Sequence, residues 1–256
     1  MFADKYQVQR DLAWIRHASS VVELEPSLYV PQSFWRNLPK MPSAFYEGGH
    51  RIGFYYQWLV QQCLNASLNH TLVAEEIQVE EDGRTIGAID FVVRNSSNEL
   101  EHWEVAIKFY LAFGDDWHGP NAKDTLSKKL SKMLSQQLAL SSTNAYQRTY
   151  PDLPISKRKL LMQGRLFVNP FLTHEESPAS VQVNPDAVSG FWCWPHQAPE
   201  NKRFYLLSRH QWMCAPDNSE LPFYSLDKDL RRAVHLIDEN RKHWFIVPEN
   251  WPDNSE

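Results

Sequence analysis

Apolar residues recur along this chain with two different periods, and each period marks a kind of element. From Gly48 to Asn65, Ile52, Tyr56, Leu59 and Cys63 recur at helical spacing, with Tyr55 and Val60 beside them, so the pattern predicts an amphipathic helix opened by Gly48-Gly49. The period then changes to two. Leu72–Val79, Gly87–Val93 and His102–Tyr110 read as strands separated by two polar turns, Glu80-Glu81-Asp82-Gly83-Arg84 and Arg94 to Glu99, which predicts an antiparallel meander. In the third strand Trp103, Val105, Ile107 and Phe109 point one way, and His102, Glu104, Ala106 and Lys108 the other. A carboxylate and an ammonium on one face of an apolar strand each require a partner or a metal.

Other segments are read the same way. Leu12, Ala13, Trp14 and Ile15 suggest a short helix over Arg10–Ser19, followed by an irregular stretch from Pro26 to Pro42. After a loop at Gly114–Asn121, a long helix is expected from about Lys123, with Leu126, Leu130, Met133, Leu134 and Gln137 on one side. An amide within an apolar stripe needs a hydrogen-bond partner on whatever the helix covers, and the acidic face of the meander is the candidate. Strands are expected at Lys159–Val168, Phe191–Trp194, Arg203–Cys214 and Trp244–Val247, and a helix at Leu226–Asn240.

No stretch between these runs reads as a flexible linker in the 256 residues, which predicts one compact domain: an N-terminal helical extension (1–47), a core (48–170), and C-terminal strands and helix packed on it (171–256). No apolar run approaches the ~18 residues of a membrane span, and the start lacks the character of a signal peptide, so a cytoplasmic location without a membrane partner is expected. Three scattered cysteines argue against a disulfide framework. A net charge of −5 excludes a uniformly basic surface but not a basic groove.

The order helix, strand, Asp-bearing strand, Glu/Lys-bearing strand, helix is carried by Gly87-x-x-Asp90, Glu104, Lys108 and Gln137. It resembles the PD-(D/E)XK nuclease superfamily, especially its RecB-type branch. The chain is more closely similar to a bacterial family, domain-of-unknown-function family 1853, through Arg51–Tyr56, Gly83–Phe91, His102–Leu111, Trp117-His118-Gly119-Pro120-Asn121 with Asp124, and Gln136-Gln137-Leu138. The resemblance implies an α/β fold with a restriction-endonuclease-like core, a central mixed sheet with an antiparallel meander flanked by helices. It also implies that Asp90 and Glu104 hold a divalent ion (Mg²⁺ or Mn²⁺), that Lys108 steadies the attacking water or the phosphate, and that Gln137 positions water or backbone. Two carboxylates holding a hard cation are suited to phosphodiester hydrolysis, because the ion activates water and offsets charge gathering on oxygen.

Two departures open a second reading. Superfamily members usually place the acidic residue two before the lysine; here that place is Ala106, and the carboxylate is displaced ~6.6 Å along the strand to Glu104. Related helices also tend to carry a Glu where this chain has Gln57, which removes a third negative ligand. The alternative is therefore a catalytically inactive module of the same fold that binds nucleic acid or a protein. Lys108 could also be a structural cation partnered by Asp90. Lys128, Lys129 and Lys132, the cluster Lys157-Arg158-Lys159, and His118 are candidates for contact with DNA or RNA, with a solvated surface as the plainer explanation.

Overall fold

In a computed structural model of the chain, residues 2–40, 44–172, 178–227 and 229–253 are described. The helices are α1 (Lys5–Ile15), α2 (Gln32–Arg36), α3 (Ile52–Ala66), α4 (Leu126–Lys132) and α5 (Asn144–Thr149). The strands are β1 (Thr71–Glu81), β2 (Arg84–Arg94), β3 (Leu100–Phe113), β4 (Asp116–His118), β5 (Ile155–Val168), β6 (Val188–Cys193), β7 (Phe204–Leu206), β8 (Phe223–Tyr224), β9 (Val234–Asp238) and β10 (His243–Ile246). The architecture is mixed α/β, with parallel and antiparallel pairing and helices packed on strands. None of the helices among the described residues is long and apolar enough to cross a membrane.

The chain forms two compact units that interleave in sequence. The first holds Met1–His17, Leu24–Ile107 and Leu130–Met162, and the second Ala18–Glu23, Lys108–Lys129 and Gln163–Glu256. In the first unit β1 and β2 pair antiparallel from Thr71↔Arg94 to Glu81↔Arg84. Their two-residue turn puts Asp82 and Gly83 at φ of 49° and 74°, left-handed values that Asp and Gly tolerate better than most residues. The first half of β3 continues the meander from Arg94↔Leu100 to Phe91↔Trp103. α5 packs on β1 over Ile77, Val79, Ile89, Val92, Leu140 and Tyr146. Gly87 allows this layer to close, since a Cβ there would stand 2.6 Å from the Leu140 Cδ1.

α4 does not run on as a regular helix. Residues Met133–Gln137 form a π turn, closed by Leu138 N–H donating to the Met133 carbonyl at 2.9 Å. The extra residue in the turn rotates the following positions. Leu134, expected in the apolar stripe, lies within this turn and is 39% exposed, while Met133 and Leu138 are buried.

In the second unit the end of β3 pairs with β4, and the end of β5 pairs parallel with β6. β6 is parallel to β10, and β10, β9, β7 and β8 follow antiparallel. Gly164 of β5 lies against the backbone of Lys108, where a Cβ would meet the carbonyl oxygen at 1.7 Å. Among the described residues of Leu226–Asn240 the expected helix is not formed; the second half of this range holds β9. Val234–Asp238 pairs antiparallel with β10 on one side and β7 on the other, and Arg241 at φ 64° turns the chain into β10. Of the strand expected at Arg203–Cys214 only β7 forms, because Ser208 opens a helical turn over Arg209–Gln211.

Candidate functional site

The acidic face of the meander is part of the first unit, where Asp90, Glu104 and Gln137 are joined by hydrogen bonds. The pairing of β2 with β3 stops at Phe91↔Trp103. One register step further Asp90 stands opposite Glu104, and side-chain oxygens replace carbonyls as acceptors. Asp90 Oδ2 accepts the Val105 N–H at 2.8 Å, and Glu104 Oε1 accepts the Asp90 N–H at 3.4 Å. Gln137, at the end of the π turn, donates its amide to Glu104 Oε2 at 2.9 Å. The expected partner of that amide is thus found.

Glu104 is fully buried, and so is His102 two residues before it on the same face. His102 Nε2 lies 2.8 Å from Glu104 Oε1, and His102 Nδ1 lies 3.0 Å from Ser141 Oγ. Ser141 Oγ is in turn 3.2 Å from Arg158 Nε. An arginine can only donate and an ionised carboxylate can only accept, so the relay has one direction. Arg158 donates to Ser141, Ser141 to Nδ1, and Nε2–H to Glu104. Burial, reinforced by the Arg158 charge, holds the His102 pKa down at about 3. The close His102–Glu104 contact is therefore a hydrogen bond from a neutral ring and not an ion pair.

Serine, histidine and glutamate in this order invite comparison with a nucleophilic triad. Ser141 is 5% exposed with its oxygen committed to Arg158, and a histidine that resists protonation to about pH 3 is a poor general base at neutral pH. The relay holds Glu104 in place.

The remaining candidates have the following partners. Gln57 donates its amide to Glu76 of β1, which the register sets opposite Asp90. Glu76 adopts a φ of 50°, an uncommon conformation for a non-glycine residue and one met at functional sites. Lys108 belongs to the second unit. Its Nζ is 3.3 Å from Asp124 Oδ2, an oxygen that also accepts from Tyr110 Oη at 2.7 Å. Asp124, three residues after the Trp-His-Gly-Pro-Asn segment, is therefore a partner of Lys108 within the second unit. Burial, reinforced by the charge and hydrogen bond of the Asp124 carboxylate, pushes the Tyr110 phenol well above its ordinary range. His118, on β4, lays its ring against Phe113 and Trp251. Lys128 and Lys132 are exposed on α4, and Lys129 is half-buried.

His102 could have been found from the sequence, since alternation already sets it beside Glu104. Ser141 and Arg158 carried no such signal, because they approach from segments 39 and 17 residues distant from their partners in the relay. A buried carboxylate elsewhere in the unit, Asp11, was also unmarked; it accepts from Gln7 Nε2 at 3.0 Å and Tyr55 Oη at 2.8 Å.

This is a mixed α/β protein with a hydrogen-bonded acidic cluster at the point where two strands of a meander part. Residues 31–245 match the family described as Domain of unknown function (DUF1853), and the chain belongs to that family. Neither the curated proteins nor the solved structures contain a match to it.

Proposed function

We propose that the protein is a nucleic-acid-binding module on a PD-(D/E)XK-like core, in which the acidic cluster braces the strands and does not hold a metal. The observation that carries this reading is Glu104. It has no solvent exposure, and both carboxylate oxygens are taken, one by His102 and the Asp90 N–H, the other by Gln137. A hard divalent cation needs oxygen ligands at roughly 2.0–2.6 Å, so it would have to displace these donors inside a buried site. Among the described residues no group of three or more His, Cys, Asp or Glu side chains is arranged to hold a metal ion. The donors present do not fit a two-carboxylate centre as they stand. Displacement of the carboxylate from position 106 to Glu104 is consistent with this role. Support for nucleic acid as the ligand comes from the exposed Lys128 and Lys132 and from the basic start of β5.

Calorimetry with manganese and anisotropy with labelled DNA and RNA oligonucleotides test the reading together. The expected result is no heat and no cleavage with the metal, and saturable oligonucleotide binding that weakens as salt is raised. Manganese-dependent cleavage that disappears in Asp90→Ala and Lys108→Ala would refute it.

A second reading, a magnesium- or manganese-dependent nuclease acting on DNA or RNA, is favoured by one observation. Asp90, Glu104 and Gln137 come from three separate elements and meet as the superfamily order demands. In that reading Asp90 and Glu104 would hold the ion and Lys108 would complement the scissile phosphate. The cleavage assay separates the two.

A further inference from the structure

The relay that ends at Glu104 begins at Arg158, and Arg158 lines a groove of about 690 Å³ in the first unit. That volume is in the range of small-ligand sites. Lys157, Arg158 and Lys159 are among its lining residues, and Leu134, Leu138 and Leu28 add apolar surface. Lys159 is nine-tenths buried, and its Nζ donates to the Ser27 carbonyl at 2.8 Å. Arg158 donates to the hydroxyls of Ser141 and Ser142. Among the described residues neither cation is paired with a carboxylate, whereas Lys157 is paired with Glu99. A buried ammonium satisfied only by neutral oxygens is a costly arrangement that a bound anion would relieve.

Two further groups shape the groove. Glu101 is also part of the lining, but its oxygens are taken by Asn95 Nδ2 and Trp103 Nε1, both at 2.8 Å. His70 is 6% exposed, and its Nδ1 is buried without a hydrogen-bond partner. The ring is pinned edge-on to Phe34 and Trp103, at 5.1 and 5.8 Å, so it cannot readily turn to find one in the protein. Leu134, exposed within the π turn, gives the groove an apolar surface beside its cations.

We propose that this groove binds a nucleotide unit, its phosphate held by Arg158 and Lys159 and its flat ring laid on Leu134. The phosphate supplies the missing counter-charge, and guanidinium is suited to phosphate through its forked donors. The unit could be a free nucleotide or one residue of a single strand; the inference rests on the nucleic-acid reading only for the second source.

The test uses the full chain with three probes: AMP, inorganic pyrophosphate, and a labelled oligothymidylate of about 12 nucleotides, within the ~4–16 of single-strand footprints. Arg158→Gln is expected to weaken binding about tenfold and to lower the slope of log affinity against log salt by about one contact. Because Arg158 also bonds Ser141, Ser33→Glu is the second variant; it leaves the relay intact and places a carboxylate in the lining, with a similar loss expected. Unaltered binding of all three probes by both folded variants would overturn the groove, and if the oligonucleotide is among the probes bound it would leave the module reading standing. Groove-sensitive binding of AMP or pyrophosphate without oligonucleotide binding would support the groove and remove the nucleic-acid reading. No binding of any probe by the folded wild type would remove both.

Discussion

Acidification should destabilise this protein through His102, and the size of the effect can be worked out. The ring is fully buried, and its pKa is held at about 3 in the folded chain against an ordinary value of ~6.5. The unfolded chain therefore binds a proton that the folded chain refuses. Stability attributable to this group is complete above about pH 6.5 and declines as pH falls toward the folded value, at about 1.4 kcal/mol per pH unit. Between pH 8 and pH 5 the loss is about 2 kcal/mol, and its limit below the folded pKa is about 5 kcal/mol. The comparison needed is wild type against His102→Gln, whose amide can still donate to Glu104 but cannot titrate. Urea unfolding at both pH values gives the stabilities, and wild type should lose about 2 kcal/mol more than the variant. The buried pair His235 and His243 shifts in the same direction in both proteins and cancels. Parallel losses would refute the neutral ring. A wild type gaining stability on acidification would mean that His102 and Glu104 form an ion pair after all, since a partnered histidine has a raised pKa and the opposite slope.

Other consequences can be checked by thermal or urea unfolding. Gly164→Ala places a methyl on the Lys108 carbonyl, which is backbone and cannot rotate aside, so a loss of about 1–3 kcal/mol or more is expected; an unchanged midpoint would mean that the strands part easily there. Tyr55→Phe removes a donor from the buried Asp11 carboxylate and should cost about 1–3 kcal/mol. Gln137→Ala strips Glu104 Oε2 of an amide donor and should cost a similar ~1–3 kcal/mol, with no effect on nucleic-acid affinity if the cluster is a brace.

Much of the meander was legible because its signals are local. Period-two alternation, the Asp82-Gly83 turn and the apolar stripe of α3 are each set by neighbouring residues, and β1, β2, β3 and α3 fall where these predict within a few positions. Asp90 and Glu104 follow from the same local signals, since alternation fixes their places on β2 and β3, and Gln137 reaches Glu104 from the π turn after α4. The errors arose where geometry is set from a distance. No local pattern announces that α4 gains a residue per turn at Met133, and so Leu134 was assigned to the core. Leu230, Val234 and Ile237 satisfy a helical spacing as well as Val234, Leu236 and the turn at Arg241 satisfy a strand, and pairing with β7 and β10 decided the matter. The pairing of Lys108 with Asp124 carried no signal either, since the two are 16 residues apart and meet only when the end of β3 and the loop after β4 are in place.

The interleaving of the two units has a consequence for the order in which the protein assembles as it leaves the ribosome. All the chain of the first unit has been made once Met162 is added, so this unit can close while the rest is still being synthesised. Two early segments must then wait. Ser20 and Val22 form bridges to Gln163 and Val183, and the Ala112 carbonyl accepts from the Trp192 indole, partners made later. Until those arrive, Val21, Val22, Leu111 and Trp117, all fully buried in the finished protein, lack the later-made part of their own unit. A nascent chain halted near residue 162 would therefore present apolar surface to chaperones, and the completed chain would not.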